Sequence, residues 1–386
     1  MDASDLYPRF SESEYARRLA KVRDAMSKEG LSALVLYGTV SAYQEVLYFS
    51  NFATMREAML VLPLEGEPAL FVQYFNHVPN ARLVASIADV RWGGTDITLA
   101  AVENLRARGL SEGRIGTVGP ITFKQYGMMR EMLPQVEWVD FIPHMVQLRL
   151  VKSAEEIEFL RKGAEFSDLA IAALEREARP GIHEYELAAI VEGAYLGLGG
   201  KTHIHYMATT PMSHPSVCVP AQHQSNRIIE KGDVLITEIS AHYAGYAGQI
   251  LRPFAIGTPP TTAYQHLYDV AVEAYNRIVG VLRDGATTEE VLDAAEYIHN
   301  SGFTICDDLL HGFGGGYLAP ILRTRRTSAR PPQPCIFREN MTVVIQPNVI
   351  TPDERMGVQV GELVRITRDG VESLHSYPMR FISAGL

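Results

Sequence analysis

Ser153 and Glu156 stand three residues apart at the head of an apolar run of helical period. A serine that caps the third helical N–H, with a glutamate reaching back to the serine's own N–H, belongs only at a helix N-terminus. A long helix therefore starts at Ser153 and runs to about Glu175, where Pro180-Gly181 ends the segment. A new structural body opens with it. The boundary falls in Leu148 to Ser153 and divides the 386 residues into domains 1–150 and 151–386.

Upstream, Ser11 and Glu14 form a similar box ahead of Tyr15, Leu19, Val22 and Met26, and Gly30 closes that helix. Short apolar runs follow at Ala33 to Tyr37, Met59 to Leu62 and Ala69 to Val72, the last two joined through Glu65-Gly66 as a hairpin. Ile97 to Arg108 reads as a helix and Arg114 to Val118 as a strand, which completes an α/β domain. Downstream of Gly199-Gly200, β-rich segments (Thr202 to Thr209, Val234 to Tyr243, Tyr246 to Ile256) precede two helices, Thr262 to Arg283 and Thr288 to Asn300. The whole is of the α+β class. Arg323 to Pro334, rich in arginine and proline, reads as a long loop.

With 47% hydrophobic and 21% charged residues the chain has the balance of a globular protein with a sizeable core. A formal charge of −10 argues against a general nucleic-acid binder, since phosphate neutralisation needs a basic face. No apolar stretch reaches the ~20 residues of a membrane span, and Met1 to Asp5 show no start of a signal peptide. The three cysteines, Cys218, Cys306 and Cys335, are odd in number and widely separated, as reduced thiols of a cytoplasmic protein would be. No phosphate-cradling or dinucleotide loop opens a helix, so no cofactor is expected.

Five segments, in order, resemble the creatinase, prolidase and aminopeptidase P superfamily. Arg149 to Ile157 resembles its linker signature, and Gly232 to Leu235 with Gly245-Tyr246 and Arg252-Pro253-Phe254 its metal-binding strand pair. His311-Gly312-Phe313-Gly314 resembles the start of an HGxGH loop, Asn340 to Pro347 a strand ending in Glu-Pro, and Gly357 to Glu362 the last strand. The resemblance implies an N-terminal creatinase-type α/β domain followed by a C-terminal pita-bread domain. It also implies a homodimer acting on a small-molecule substrate.

In metal-using relatives, two Asp, one His and two Glu hold two divalent ions that activate a bridging water. On the resemblance, those positions fall here on Glu238, Gln249, Gly315, Gln346 and Gly361, with Glu362 beside the last. Amides and glycines supply little anionic charge to paired cations. The expectation is therefore no metal, and a metal-independent hydrolase of a non-peptide C–N bond in a small polar metabolite, as in creatinase and ectoine hydrolase. A lyase on the same scaffold, an Xaa-Pro hydrolase with displaced ligands and a non-catalytic binding protein are the alternatives.

Glu238, with no positive partner in its motif, should have a pKa raised by burial and serves as base or nucleophile. Gln249, Gln346, Gln359 and Glu362 are read as substrate-binding, and His214, in a loop that feeds the site in this superfamily, as general acid or base. His311 is either an acid–base partner or a loop-structuring residue. His203 and His205 alternate on a strand and so share one face, where either one replaces the missing proton shuttle, with His205 meeting the substrate, or they are core or interface histidines. Arg323, with Arg325, Arg326 and Arg330, is either part of a solvated loop or a clamp on a substrate carboxylate.

Overall fold

The computed structural model describes residues 6–332 and 334–386. Met1 to Asp5, read above for a signal peptide, and Gln333 of the arginine- and proline-rich segment lie outside the described residues. The chain divides into two units, the first ending at Arg149 and the second spanning Leu150–Leu386.

In the first unit, apolar runs too continuous for a one-sided sheet make a sheet covered on both faces. Strands β1 (Ala33–Thr39), β2 (Glu57–Pro63), β3 (Ala69–Val72), β4 (Asp89–Trp92), β5 (Glu112–Val118) and β6 (Gln135–Asp140) lie in the order β4-β3-β2-β1-β5-β6. The β2–β3 hairpin is antiparallel, and β1 runs parallel to β5. Alternation sends Leu34, Leu36, Leu60 and Leu70 to a core shared with Val22 and Met26. It sends Ala33, Val35, Val61 and Phe71 to a second core under the helix Ile97–Ala107.

In the second unit the capping box of Ser153 and Glu156 closes in both directions, at 3.1 and 2.9 Å, and the helix runs Ala154–Glu177. The sheet that receives it contains β7 (Lys201–Pro211), β8 (Asp233–Tyr243), β9 (Tyr246–Leu251), β10 (Phe254–Ile256), β11 (Leu310–Gly314), β12 (Gly316–Leu322) and β13 (Thr342–Ile345). A small ribbon pairs β14 (Asn348–Ile350) with β15 (Gly357–Gln359). Strands β16 (Gly361–Ile366), β17 (Val371–Ser373) and β18 (Ile382–Ala384) complete the main sheet. Its spine runs β12-β11-β13-β16-β9-β8-β10-β18, with β7 on β8.

Both faces are again covered. Ile239, Ala241 and Ile250 pack with Phe166, Ala170 and Ile171 of the first helix. Val234 and Ile236 pack with Tyr264, Ala271 and Ile278 of the helix Thr262–Val281. No helix among the described residues is long and apolar enough to cross a membrane.

The first helix lies almost in contact with the backbone of the β8–β9 hairpin. A Cβ on Gly163 would stand 2.5 Å from the Tyr246 carbonyl oxygen, and one on Gly248 would collide with the backbone of Ala164. Ser167 uses that closeness: its hydroxyl donates to the Gly248 carbonyl at 2.6 Å and accepts from Ala241 N–H at 2.8 Å. Gly248→Ala should lower stability by about 1–3 kcal/mol through forced separation of helix and hairpin. Urea denaturation measures it. Gly193→Ala, where an added methyl meets nothing within 4 Å, serves as the control with no loss.

Candidate active site

Glu238 takes the same parity on β8 as Val234 and Ile236, yet instead of joining their core it lines a cavity of about 360 Å³. Tyr206, directly across on β7, lines the same cavity. Asp307, Gln346, His203, Phe313 and Tyr317 complete most of the wall. Gln249, on the paired strand β9, aims its amide nitrogen at two oxygens at once. Nε2 donates to Glu238 Oε1 at 2.9 Å and to Gln346 Oε1 at 2.8 Å. One amide thus joins β8, β9 and the end of β13.

Burial, reinforced by the negative charges of Asp307 and Asp308, pushes the Glu238 carboxyl up to about 8. It is uncharged at neutral pH and can give a proton. Asp307 is also pushed up by burial, and Gln359 Nε2 steadies it with a hydrogen bond of 2.9 Å. Asp308 accepts from the Tyr317 hydroxyl. Asp307, Asp308, Tyr206 and Tyr317 were not singled out from the sequence. The available signal was two adjacent acids immediately before Leu309-Leu310, a pair whose burial draws the carboxylates inward.

Several residues lie elsewhere than the sequence reading puts them. A bulge in β7 between Thr202 and Ile204 breaks the alternation, so His203 and His205 do not share a face. His203 joins the cavity wall, whereas His205 turns to the Tyr195 hydroxyl at 2.6 Å and is pushed down to about 4 by burial. His214 lines a separate open depression with Asp353, Arg355 and Met356, held by the turn that ties its N–H to Pro211. Glu362 turns to the fully buried Arg252, with Ser373 at 2.6 Å and Tyr275 at 3.3 Å. It is bound to these protein partners and is not part of the lining of the Glu238 cavity.

Arg323 donates to the Cys306 carbonyl behind the cavity wall, while Arg325 and Arg326 pair with Glu289, Asp293 and Glu296 of the helix Thr288–Asn300. His311 is fully buried, stacked on Tyr317 with ring centroids 3.9 Å apart, and its Nδ1 meets the Gly312 carbonyl at 3.1 Å. Burial pushes it down to about 4, so it is neutral and packs under the wall. Gln346 lines the cavity, and Gln359 reaches it only through Asp307.

The superfamily implies a pair of divalent ions, and the residues present do not fit one. No group of three or more His, Cys, Asp or Glu able to hold a metal occurs among the described residues. At Gly361 the backbone has φ +150°, and a Cβ there would strike the Ile345 carbonyl oxygen, so a carboxylate at this position requires β16 to move.

The elevated Glu238 value has a consequence for stability. Its folded pKa of about 8 lies above the ordinary 4.5, so the neutral form is favoured by folding. That stability is complete below about pH 4.5 and is lost as pH rises through about 8. Glu238→Gln should therefore gain on the wild type over this window, by on the order of 5 kcal/mol at most. Denaturation midpoints measured at intervals of pH check it; a constant difference between the two proteins would refute the buried neutral carboxyl.

Residues 158–368 match the metallopeptidase family M24, and residues 18–151 match the creatinase/prolidase N-terminal domain. An Xaa-Pro dipeptidase of Pyrococcus furiosus is 25% identical over 92% of this chain and 97% of its own length. The creatinase of Bacillus sp. (strain B-0618) is 23% identical over 96% of this chain and 92% of its own. The crystal structure of an X-Pro aminopeptidase from Thermotoga maritima superposes with a TM-score of 0.82 at 20% identity, covering 95% of this chain and 99% of that one.

These findings correct the functional reading made from sequence. A metal-independent hydrolase of a non-peptide C–N bond gives way, because the matching family is one of metallopeptidases and full-length relatives are named for Xaa-Pro dipeptides. A hydrolase of the creatinase and prolidase superfamily stands. An N-terminal creatinase-type domain precedes a pita-bread domain, and the chain belongs to the metallopeptidase family M24.

Proposed function

We propose that this protein hydrolyses the amide bond of a short peptide of the Xaa-Pro dipeptide class. The observation that carries the reading is Glu238: a carboxyl neutral at physiological pH, on the wall of a cavity of small-ligand size. The names of the full-length relatives supply the substrate class.

Cleaving an amide requires a proton for the departing nitrogen and a base for the attacking water. Glu238 is suited to the first task, because its proton is retained until about pH 8 and Gln249 fixes its orientation. Asp307, on the same wall and steadied by Gln359, is suited to the second. Tyr206, Phe313 and Tyr317 offer apolar ring surface against which a proline ring can rest. The same reading takes the protein as a cytoplasmic homodimer, and light scattering giving twice the chain mass of 42.8 kDa checks the assembly.

Purified protein is assayed on a panel of Xaa-Pro dipeptides, each with and without added Mn²⁺ or Co²⁺. The expected result is release of free proline, a rate that declines above about pH 8, and a loss of at least ~100-fold in kcat for Glu238→Gln. Asp307→Asn should lose a comparable factor. Absence of cleavage across the panel under both conditions refutes the substrate class, and full turnover by Glu238→Gln refutes the assigned proton donor.

A further inference from the structure

Cys218 and Cys306, far apart in the chain, meet at the β14–β15 ribbon. Val217 bridges Met356 at the head of β15, and Thr304 bridges Ile350 at the end of β14, so one cysteine segment lies against each strand. Asn348 ties the two together. Its Nδ2 donates to the Cys218 carbonyl at 3.2 Å, and its Oδ1 accepts from the Cys306 thiol at 3.2 Å. A single short amide reaches both segments, so the two cysteines are neighbours in space. Both thiols are free. Cys306 also lines the Glu238 cavity, directly before Asp307 in sequence.

We propose that Cys218 and Cys306 form a redox pair that a peroxide closes to a disulfide in the cavity wall, shutting the site. Cys306, which faces the cavity, meets the oxidant. Its sulfur attacks one peroxide oxygen, the O–O bond breaks, and sulfenic acid and a first water form. The Cys218 sulfur then attacks that sulfenic sulfur, and its proton leaves with the hydroxyl as a second water. Two electrons pass from the sulfur pair to the peroxide, and a dithiol reductant reverses the step. Drawing Cys306 onto Cys218 pulls Asp307 with it and breaks the hydrogen bond from Gln359. Cys335 is set apart, packed at the edge of the core of the Thr262–Val281 and Thr288–Asn300 helices.

The test uses the full chain, hydrogen peroxide and thiol counting after denaturation. The count should fall from three to one and return to three with dithiothreitol, and peptide mass mapping should find Cys218 joined to Cys306. Cys335→Ser should form the same bond, whereas Cys306→Ser and Cys218→Ser should each form no intramolecular disulfide. A count that stays at three, or a bond through Cys335 or between chains, overturns the proposal. The effect on turnover rests on the dipeptidase reading: oxidation should lower proline release at least tenfold, reversibly, and a disulfide that leaves turnover unchanged overturns the gating. If the reduced protein cleaves no dipeptide, that reading fails, while the thiol count still decides the disulfide.

Discussion

The contact between the helix Ala154–Glu177 and the β8–β9 hairpin sets the geometry of the second unit. Gly163 and Gly248 leave nothing between helix and strand backbone, and Ser167 bonds into both strands across the gap. A helix seated on peptide groups cannot slide as one resting on interdigitated side chains can. Gly248 is the immediate neighbour of Gln249, and Ala241 stands three positions from Glu238. The seat of the helix and the registration of the site's two central residues are therefore one constraint.

Two buried carboxylates on this sheet show how environment assigns roles to identical groups. Glu362 lies against the fully buried guanidinium of Arg252, which also donates to the carbonyls of Leu251, Gly361, Tyr377 and Pro378. That charge is satisfied and structural. Glu238 has a neutral amide for a partner and two further acids nearby, so desolvation and repulsion leave it protonated. The first acid staples the sheet to the C-terminal segment. The second holds a proton in a cavity.

Membership of a metallopeptidase family and the side chains at the family's ligand positions point in different directions, and the local geometry shows how the site is organised instead. An N–H donor, Gln249 Nε2, lies between two oxygens of Glu238 and Gln346. Gly361 adopts a backbone that excludes any side chain at its position. The cavity wall is completed by Asp307, Tyr206 and Tyr317, from the segment before β11, from β7 and from β12.

Sequence alone determined the elements whose signals are local. The capping box at Ser153 and Glu156, the β2–β3 hairpin, the alternating apolar runs and the ordered motifs of the superfamily were all legible, because each depends on residues within a turn or a strand of one another. Glu238 was also legible, since its neighbours at Gln249 and Gln346 sit at motif positions. What stayed hidden depended on residues meeting from distant segments or on a break in periodicity. The bulge at Thr202 to Ile204 swapped the roles of His203 and His205, and nothing in a run of alternating residues announces a bulge. Asp307 entered the site, Glu362 left it for Arg252, and Cys218 met Cys306 across Asn348. In each case only tertiary structure decided, because the energy of a buried polar group is set by the partner that folding brings to it.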